Sequence, residues 1–197
     1  MEELVLFSRG RVLLPGQRLK LRVHDVELSA ALRGVDEFCT VFSQSGGDLS
    51  RIGVRAGIRS RSIAPYDRLD IEVVGGDRLE IPASARQHDR TVEVAVVEEQ
   101  PGDGDIRLLR DELERGVQRF AAAGAESGRP ASISSVLHRD PTLASYQAAT
   151  VLPLSHPERQ ELLEIETTTE RLEQELRIAA GETGVLRHLL GLGRMGA

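Results

Sequence analysis

The stretch "EEQPGDGD", Glu98 to Asp105, separates two halves of the chain that repeat their apolar residues at different periods. Upstream the period is two. Leu19, Leu21 and Val23 alternate with Lys20 and Arg22, and Ile52, Val54, Ala56 and Ile58 alternate with Gly53, Arg55, Gly57 and Arg59. Leu69, Ile71 and Val73 alternate with Asp70 and Glu72, and Val92, Val94 and Val96 with Glu93 and Ala95. Side chains of a strand point to opposite faces in turn, so this pattern predicts strands with one face packed and one wet. "FCTVF" (38–42) is more continuously apolar and reads as a central strand. Turn signals fall between the runs at Pro15-Gly16, "SGGD" (45–48), "PYD" (65–67) and "GGD" (75–77). "DRLDIEVVGGDRLEI" reads as a hairpin. One short helix is expected over Val26–Arg33, ended by Gly34. Short strands with regular turns predict a small antiparallel barrel or sandwich.

Downstream the period becomes helical. Ile106, Leu109, Leu113, Val117 and Phe120 form one stripe, with Asp105 placed to cap its start and Gly124 to end it. Asp140 precedes Pro141, and proline at a first helical position loses no hydrogen bond. Ser155 with Glu158, and Thr167 with Glu170, stand at capping-box spacing. Leu172, Leu176 and Ala179 make a further stripe, and "GVLRHLLGL" runs into a glycine-rich tail expected to fray. The organisation is therefore α+β: a β subdomain over 1–101 and a bundle of short α-helices over 102–197.

Composition narrows the chemistry. The 197 residues are 40% hydrophobic but only 3% aromatic, so the core is built from aliphatic side chains. A net charge of -6 argues against a general nucleic-acid binder, which needs a positive surface. No run is long and apolar enough for a membrane span, and "MEELVLF" lacks the basic start of a signal peptide. The lone cysteine, Cys39, fits a reducing cytoplasm and an inert buried thiol. Lys20 is the only lysine and has no glycine loop before it, which excludes a P-loop and leaves a Ser-Lys dyad no partner but a wet strand face. His24, His88, His138, His156 and His188 are scattered without metal-ligand spacing, so no metal or other cofactor is expected. His24-Asp25 reads as a polar strand end leading into a helix, and Arg55, Arg59 and Arg61 as a solvated strand face.

One turn motif and three longer stretches stand out. In "LLPG", Pro15 presets the second position of a type II turn and Gly16 supplies the positive φ of the third. The stretch "LVLFSRGRVLLPGQRLKLRV" resembles the start of the Lon N-terminal domain family, with Phe7, Gly10, Pro15 and Gly16 among the matching residues. "RIGVRAGIRSRSIAPYDRLDIEVVGGDRLEI" is similar to that family's next two strands. "LPLSHPERQELLEIETTTERLEQEL" is similar to its L-P-L-S segment, through Pro153, Leu154, Ser155 and Arg171. The family's F-P-L-G is "FSRG" here, and its F-E-P-R-Y is replaced by "HDVEL".

The resemblance implies a PUA-like antiparallel pseudo-barrel followed by a helical bundle, in a stand-alone form without ATPase or protease domains. It implies a non-enzymatic protein-interaction module that captures unfolded or tagged polypeptides, as an adaptor serving a proteolytic machine. PUA-like barrels also bind RNA, which is the alternative reading. Either way the turn motif is architectural, and the binding surface is expected elsewhere.

Overall fold

The computed structural model describes residues 1–43, 48–64, 68–127 and 136–195. The turns expected at "SGGD" and "PYD" lie outside these residues, wholly or in large part. Six strands and five helices follow in the order β1 (Glu2–Arg9), β2 (Arg18–Val23), α1 (Val26–Arg33), β3 (Glu37–Ser43), β4 (Leu49–Ala64), β5 (Arg68–Glu80) and β6 (Thr91–Val97). Then come α2 (Ile106–Glu126), α3 (Pro141–Val151), α4 (His156–Glu164) and α5 (Thr168–Met195). The class is α+β, as the change of period implies.

The chain forms two compact units, Met1–Glu98 with Ser155–Glu164, and Glu99–Leu154 with Ile165–Ala197. This differs from a simple division at residue 101, because α4 belongs with the strands. Its Gln160 Nε2 donates to the Ile52 carbonyl at 2.9 Å, and the buried Arg78 Nη1 donates to the Leu163 carbonyl at 3.1 Å. Gln160 and Leu163 close over Val12, Leu13, Phe42 and Val54. A nine-residue segment between two helices of the other unit carries no period that would reveal such a partner.

The sheet of the first unit runs β2-β5-β4-β3-β1-β6. It is mixed rather than antiparallel throughout. The first half of β1 pairs antiparallel with β6 (Leu4 opposite Val92), and its second half pairs parallel with β3 (Leu6 opposite Cys39). Parallel neighbours need a crossover, and β2 with α1 supplies it. Alternation shows that one face of β1 is buried but not the direction of its neighbour. Pairing of Arg78–Glu80 with Ala95–Val97 brings β6 back to β5, giving an irregular pseudo-barrel. Leu4, Leu6, Cys39, Val41, Leu79, Ile81, Val92 and Val94 form a core within it. As expected, "FCTVF" lies on an interior strand, with its side chains buried.

The Pro-Gly corner has the turn geometry read from its residues. Gly16 has φ 75°, and the Gln17 N–H donates to the Leu14 carbonyl at 3.0 Å. The corner is docked on Gly75, whose carbonyl accepts from Gly16 N–H at 2.8 Å and whose N–H donates to the Gln17 carbonyl at 2.9 Å. Gly75 itself corrects the sequence reading: "VVGGDR" is not a hairpin turn but the middle of the single strand β5. Between Val54 opposite Arg78 and Ala56 opposite Gly75 the register slips, the mark of a β-bulge. A Cβ on Gly75 would lie 2.1 Å from the Leu14 carbonyl oxygen, so glycine is required by close backbone approach.

In the second unit the caps fall where the sequence places them. Asp105 accepts from Arg107 and Leu108 N–H groups, and Asp140 from Leu143 N–H at 2.9 Å. Leu113, Val117 and Leu172 pack with Leu137, Ala144 and Ala148. Phe120, Ala123 and Ala179 pack with Leu152 and Leu186. Two helices are longer than the expected short bundle. Helix α2 continues past Gly124 to Glu126, and the last two helical stretches fuse into the 28-residue α5, which incorporates most of the tail.

Candidate functional site

The segment after β5 is stapled into a turn by its own polar groups. Ala85 N–H donates to the Pro82 carbonyl, Arg86 N–H donates to Asp89 Oδ2 at 2.7 Å, and the Arg86 guanidinium folds back onto the Ala83 and Ala85 carbonyls. Between this turn, the start of β4 and the middle of β6 lies a groove of about 660 Å³. Its floor is apolar, with Leu49 and Ala85 resting on the barrel core and Ile81, Pro82 and Val94 beside them. Its rim is polar and mixed in sign, including the exposed ion pair of Arg51 with Glu80 at 3.1 Å. An apolar floor with a polar rim is the usual make-up of a ligand groove. Arg51, Glu80 and Ile81 stand at the two ends of the stretch that resembles the family's strands, but no motif there marks a groove. The only signal in the sequence was the loss of alternation after Glu80.

A second surface is the outer edge of β2. Among the described residues β2 has β5 as its sole strand neighbour, so the backbone of Arg18–Val23 faces outward on one side. Such an edge is able to take an added strand. The wet face of this β2-β5-β4 arm holds a hollow of about 490 Å³. It is charge-balanced, with Lys20 opposite Glu72 and Arg22 bidentate on Asp70 at 2.8 and 2.9 Å.

Of the arginines singled out in "RIGVRAGIRSR", Arg55 and Arg61 are occupied, whereas Arg59 is exposed to solvent. Arg55 grips both oxygens of Glu2 at 3.0 and 2.8 Å and also meets Glu37 and Asp77. Bonding to Glu2, then to Glu37, raises its pKa further. Arg61 binds Asp36 and the Leu32 and Val35 carbonyls. Cys39 is buried, and desolvation pushes its thiol up to about 12, far from a nucleophile's range. Asp25 is the N-cap of α1, accepting from Leu28 N–H at 2.7 Å, which lowers its pKa. Among the described residues no cluster of three or more His, Cys, Asp or Glu could hold a metal ion. No described helix is long and apolar enough to cross a membrane.

The motif residues do not converge on one place. Phe7 is half-buried, its ring 6.0 Å from that of Phe38. Pro15 and Gly16 build the corner, whereas Gly10 is exposed and nothing in the structure requires glycine there. Pro153 is exposed, Leu154 packs in the second unit, and Ser155 opens α4 in the first. Arg171 is fully buried in the second unit, over the Tyr146 ring at 4.1 Å. It donates to Ser145 Oγ at 2.8 Å, to Glu99 Oε2 at 3.1 Å and to Thr168 Oγ1 at 3.3 Å. One guanidinium thus ties the start of the unit to α3 and α5.

The model of the ATP-dependent protease La (LON) substrate-binding domain matches residues 3–180. Lon protease 2 of Desulfotalea psychrophila is 32% identical over 135 residues, which are 67% of this chain but 17% of that protease. The N-terminal domain of Mycobacterium avium complex Lon protease superposes with a TM-score of 0.72 at 18% identity, over 91% of this chain and 98% of that one. A Lon N-terminal domain protein from Xanthomonas campestris gives 0.65 at 23% identity, over 90% and 98%. At those identities the two structures establish the fold, while the family model reaches across nine-tenths of the residues. The chain belongs to the LON substrate-binding domain family.

Proposed function

We propose that this chain is a non-enzymatic module that holds extended segments of unfolded or tagged polypeptides for an ATP-dependent protease, in the manner of an adaptor. The observation that carries the reading is the groove between β4, β6 and the turn after β5. Its apolar floor suits aliphatic side chains of many sequences, and its mixed rim selects for none of them. The open edge of β2 adds backbone hydrogen bonds that are indifferent to sequence. Binding built this way is weak and tolerant. The buried thiol and the cross-strand partner of Lys20 support a role without covalent catalysis, and the lone cysteine suits the cytoplasm.

Titrating a labelled, permanently unfolded protein tests this directly. The expected result is saturable binding with a dissociation constant of about 10 μM or weaker, without turnover of ATP or peptide. Ala83→Arg, on the exposed wall of the groove, should weaken it about tenfold. No binding at high concentration would remove the module reading, and unchanged binding by the variant would move the site elsewhere.

A further inference from the structure

Five arginines of the first unit have an acidic partner: Arg22 has Asp70, Arg51 has Glu80, Arg55 has Glu2, Arg61 has Asp36 and Arg90 has Glu27. In a chain with 31 acidic and 25 basic residues this is the expected condition. Among the described residues Arg9, Arg11 and Arg159 lack such a partner, as do Arg18, Arg59 and Arg86, but of the first three Arg9 and Arg159 are also shielded from water, being only half-exposed. Arg9 Nη1 and Arg159 Nε are fully buried atoms with no hydrogen-bond partner. Buried N–H groups on cations are rarely left unmatched without a reason.

Arg9, Arg11 and Arg159 gather around His156, in the first turn of α4 and one turn before Arg159. The Val12 N–H donates to His156 Nδ1 at 3.4 Å, fixing the ring against the segment that carries Arg9 and Arg11 and leaving Nε2 as its free donor. Arg9 also lies over Phe7, its guanidinium 5.9 Å from the ring centroid. Burial, then Arg159, Arg11 and Arg9, lower the pKa of His156, and among the described residues no carboxylate opposes them. Desolvation and Arg11 likewise bring Arg9 down to about 10. The N-terminus of α4 is not part of the site, since Glu158 already occupies it through Ser155.

We propose that Arg9, Arg11, Arg159 and the Nε2–H of His156 form a binding site for one compact oxyanion, a carboxylate or a phosphate group. Guanidinium groups match both in geometry and charge. The source is either a carboxylate on a bound polypeptide or a free inorganic oxyanion. The overall acidity of the chain disfavours an extended polyanion. The site lies apart from the groove and does not depend on that reading.

The experiment is an NMR titration of the five histidine ring protons with inorganic phosphate, against chloride at equal ionic strength. The expected result is a saturable shift confined to His156, in the millimolar range, with its pKa rising as phosphate fills the site. Arg159→Gln should weaken the effect about tenfold, and Arg11→Gln, at an exposed position, serves if the first variant fails to fold. Displacement of phosphate by a short acidic peptide would identify a polypeptide carboxylate as the source, and its failure would leave the free oxyanion. No saturable shift at His156, or the same shift in both variants, would overturn the site.

Discussion

Glu175 is fully buried in α5, where the Ser145 hydroxyl donates to its Oε1 at 3.1 Å and the other oxygen has no partner. Desolvation raises its pKa well above that of an ordinary carboxyl, and Arg171 and Ser145 offset this only in part. A raised folded-state pKa means that the native protein holds the proton more tightly than the unfolded chain. The contribution to stability is complete below the unfolded value of about 4.3 and is lost as pH rises through the folded one. Glu175→Gln copies the protonated form, so variant and wild type should unfold alike near pH 4. By pH 8 the variant should be more stable by about 1 kcal/mol or more. Urea melts at several pH values read this difference, and a gap independent of pH would refute it. Neither Glu175 nor Gly75 was legible beforehand, for the same reason. Gly75 looks like half of a turn signal, and only the Leu14 carbonyl, distant in sequence, shows why it lacks a side chain. Gly16 was legible because its φ answers to the residue beside it.

Elements set by neighbouring residues are legible in the sequence, and those set by distant partners are not. Helix α1 matches its expected span, Val26–Arg33, and the caps at Asp105 and Asp140 hold as read. At the start of α4 the box is complete: Ser155 N–H and Oγ both donate to Glu158 Oε2, at 2.7 and 2.6 Å, and Glu158 N–H donates back to Ser155 Oγ at 3.4 Å. A helix of nine residues has little stability of its own and depends on such caps and on packing. Ser155→Ala should therefore cost about 1 kcal/mol in a urea melt. Hydrogen exchange should quicken at α4 and at its partner Ile52 in β4 while α3 stays unchanged. Equal protection in wild type and variant would mean that the box contributes nothing. By contrast, the parallel pairing of β1 with β3, and the continuity of β5 through its bulge, are decided by residues far off in sequence. The groove was hidden for the same reason, since β4, β6 and the turn after β5 each supply a few unremarkable side chains to it.

At the scale of the whole molecule the chain crosses between its units at 98–99, 154–155 and 164–165, so neither unit is one continuous stretch. Helix α4 completes the first unit after the second has begun. Without it, Leu162 and Leu163 no longer cover their apolar neighbours, and Arg78, 1% exposed, loses the Leu163 carbonyl. Losing that apolar cover removes packing that closes this side of the barrel. A fragment of residues 1–98 should therefore lack a cooperative thermal transition, although it contains all six strands. Adding a peptide of residues 153–166 in trans should restore one, with a midpoint that rises with peptide concentration, because the peptide binds the folded form alone. The same peptide with Leu162 and Leu163 both changed to Ser should not rescue. If the fragment alone melts as sharply as the full chain, α4 is an accessory to a self-sufficient sheet. The oxyanion site, which borrows His156 and Arg159 from that helix, would then be a surface laid on top of the barrel rather than part of its construction.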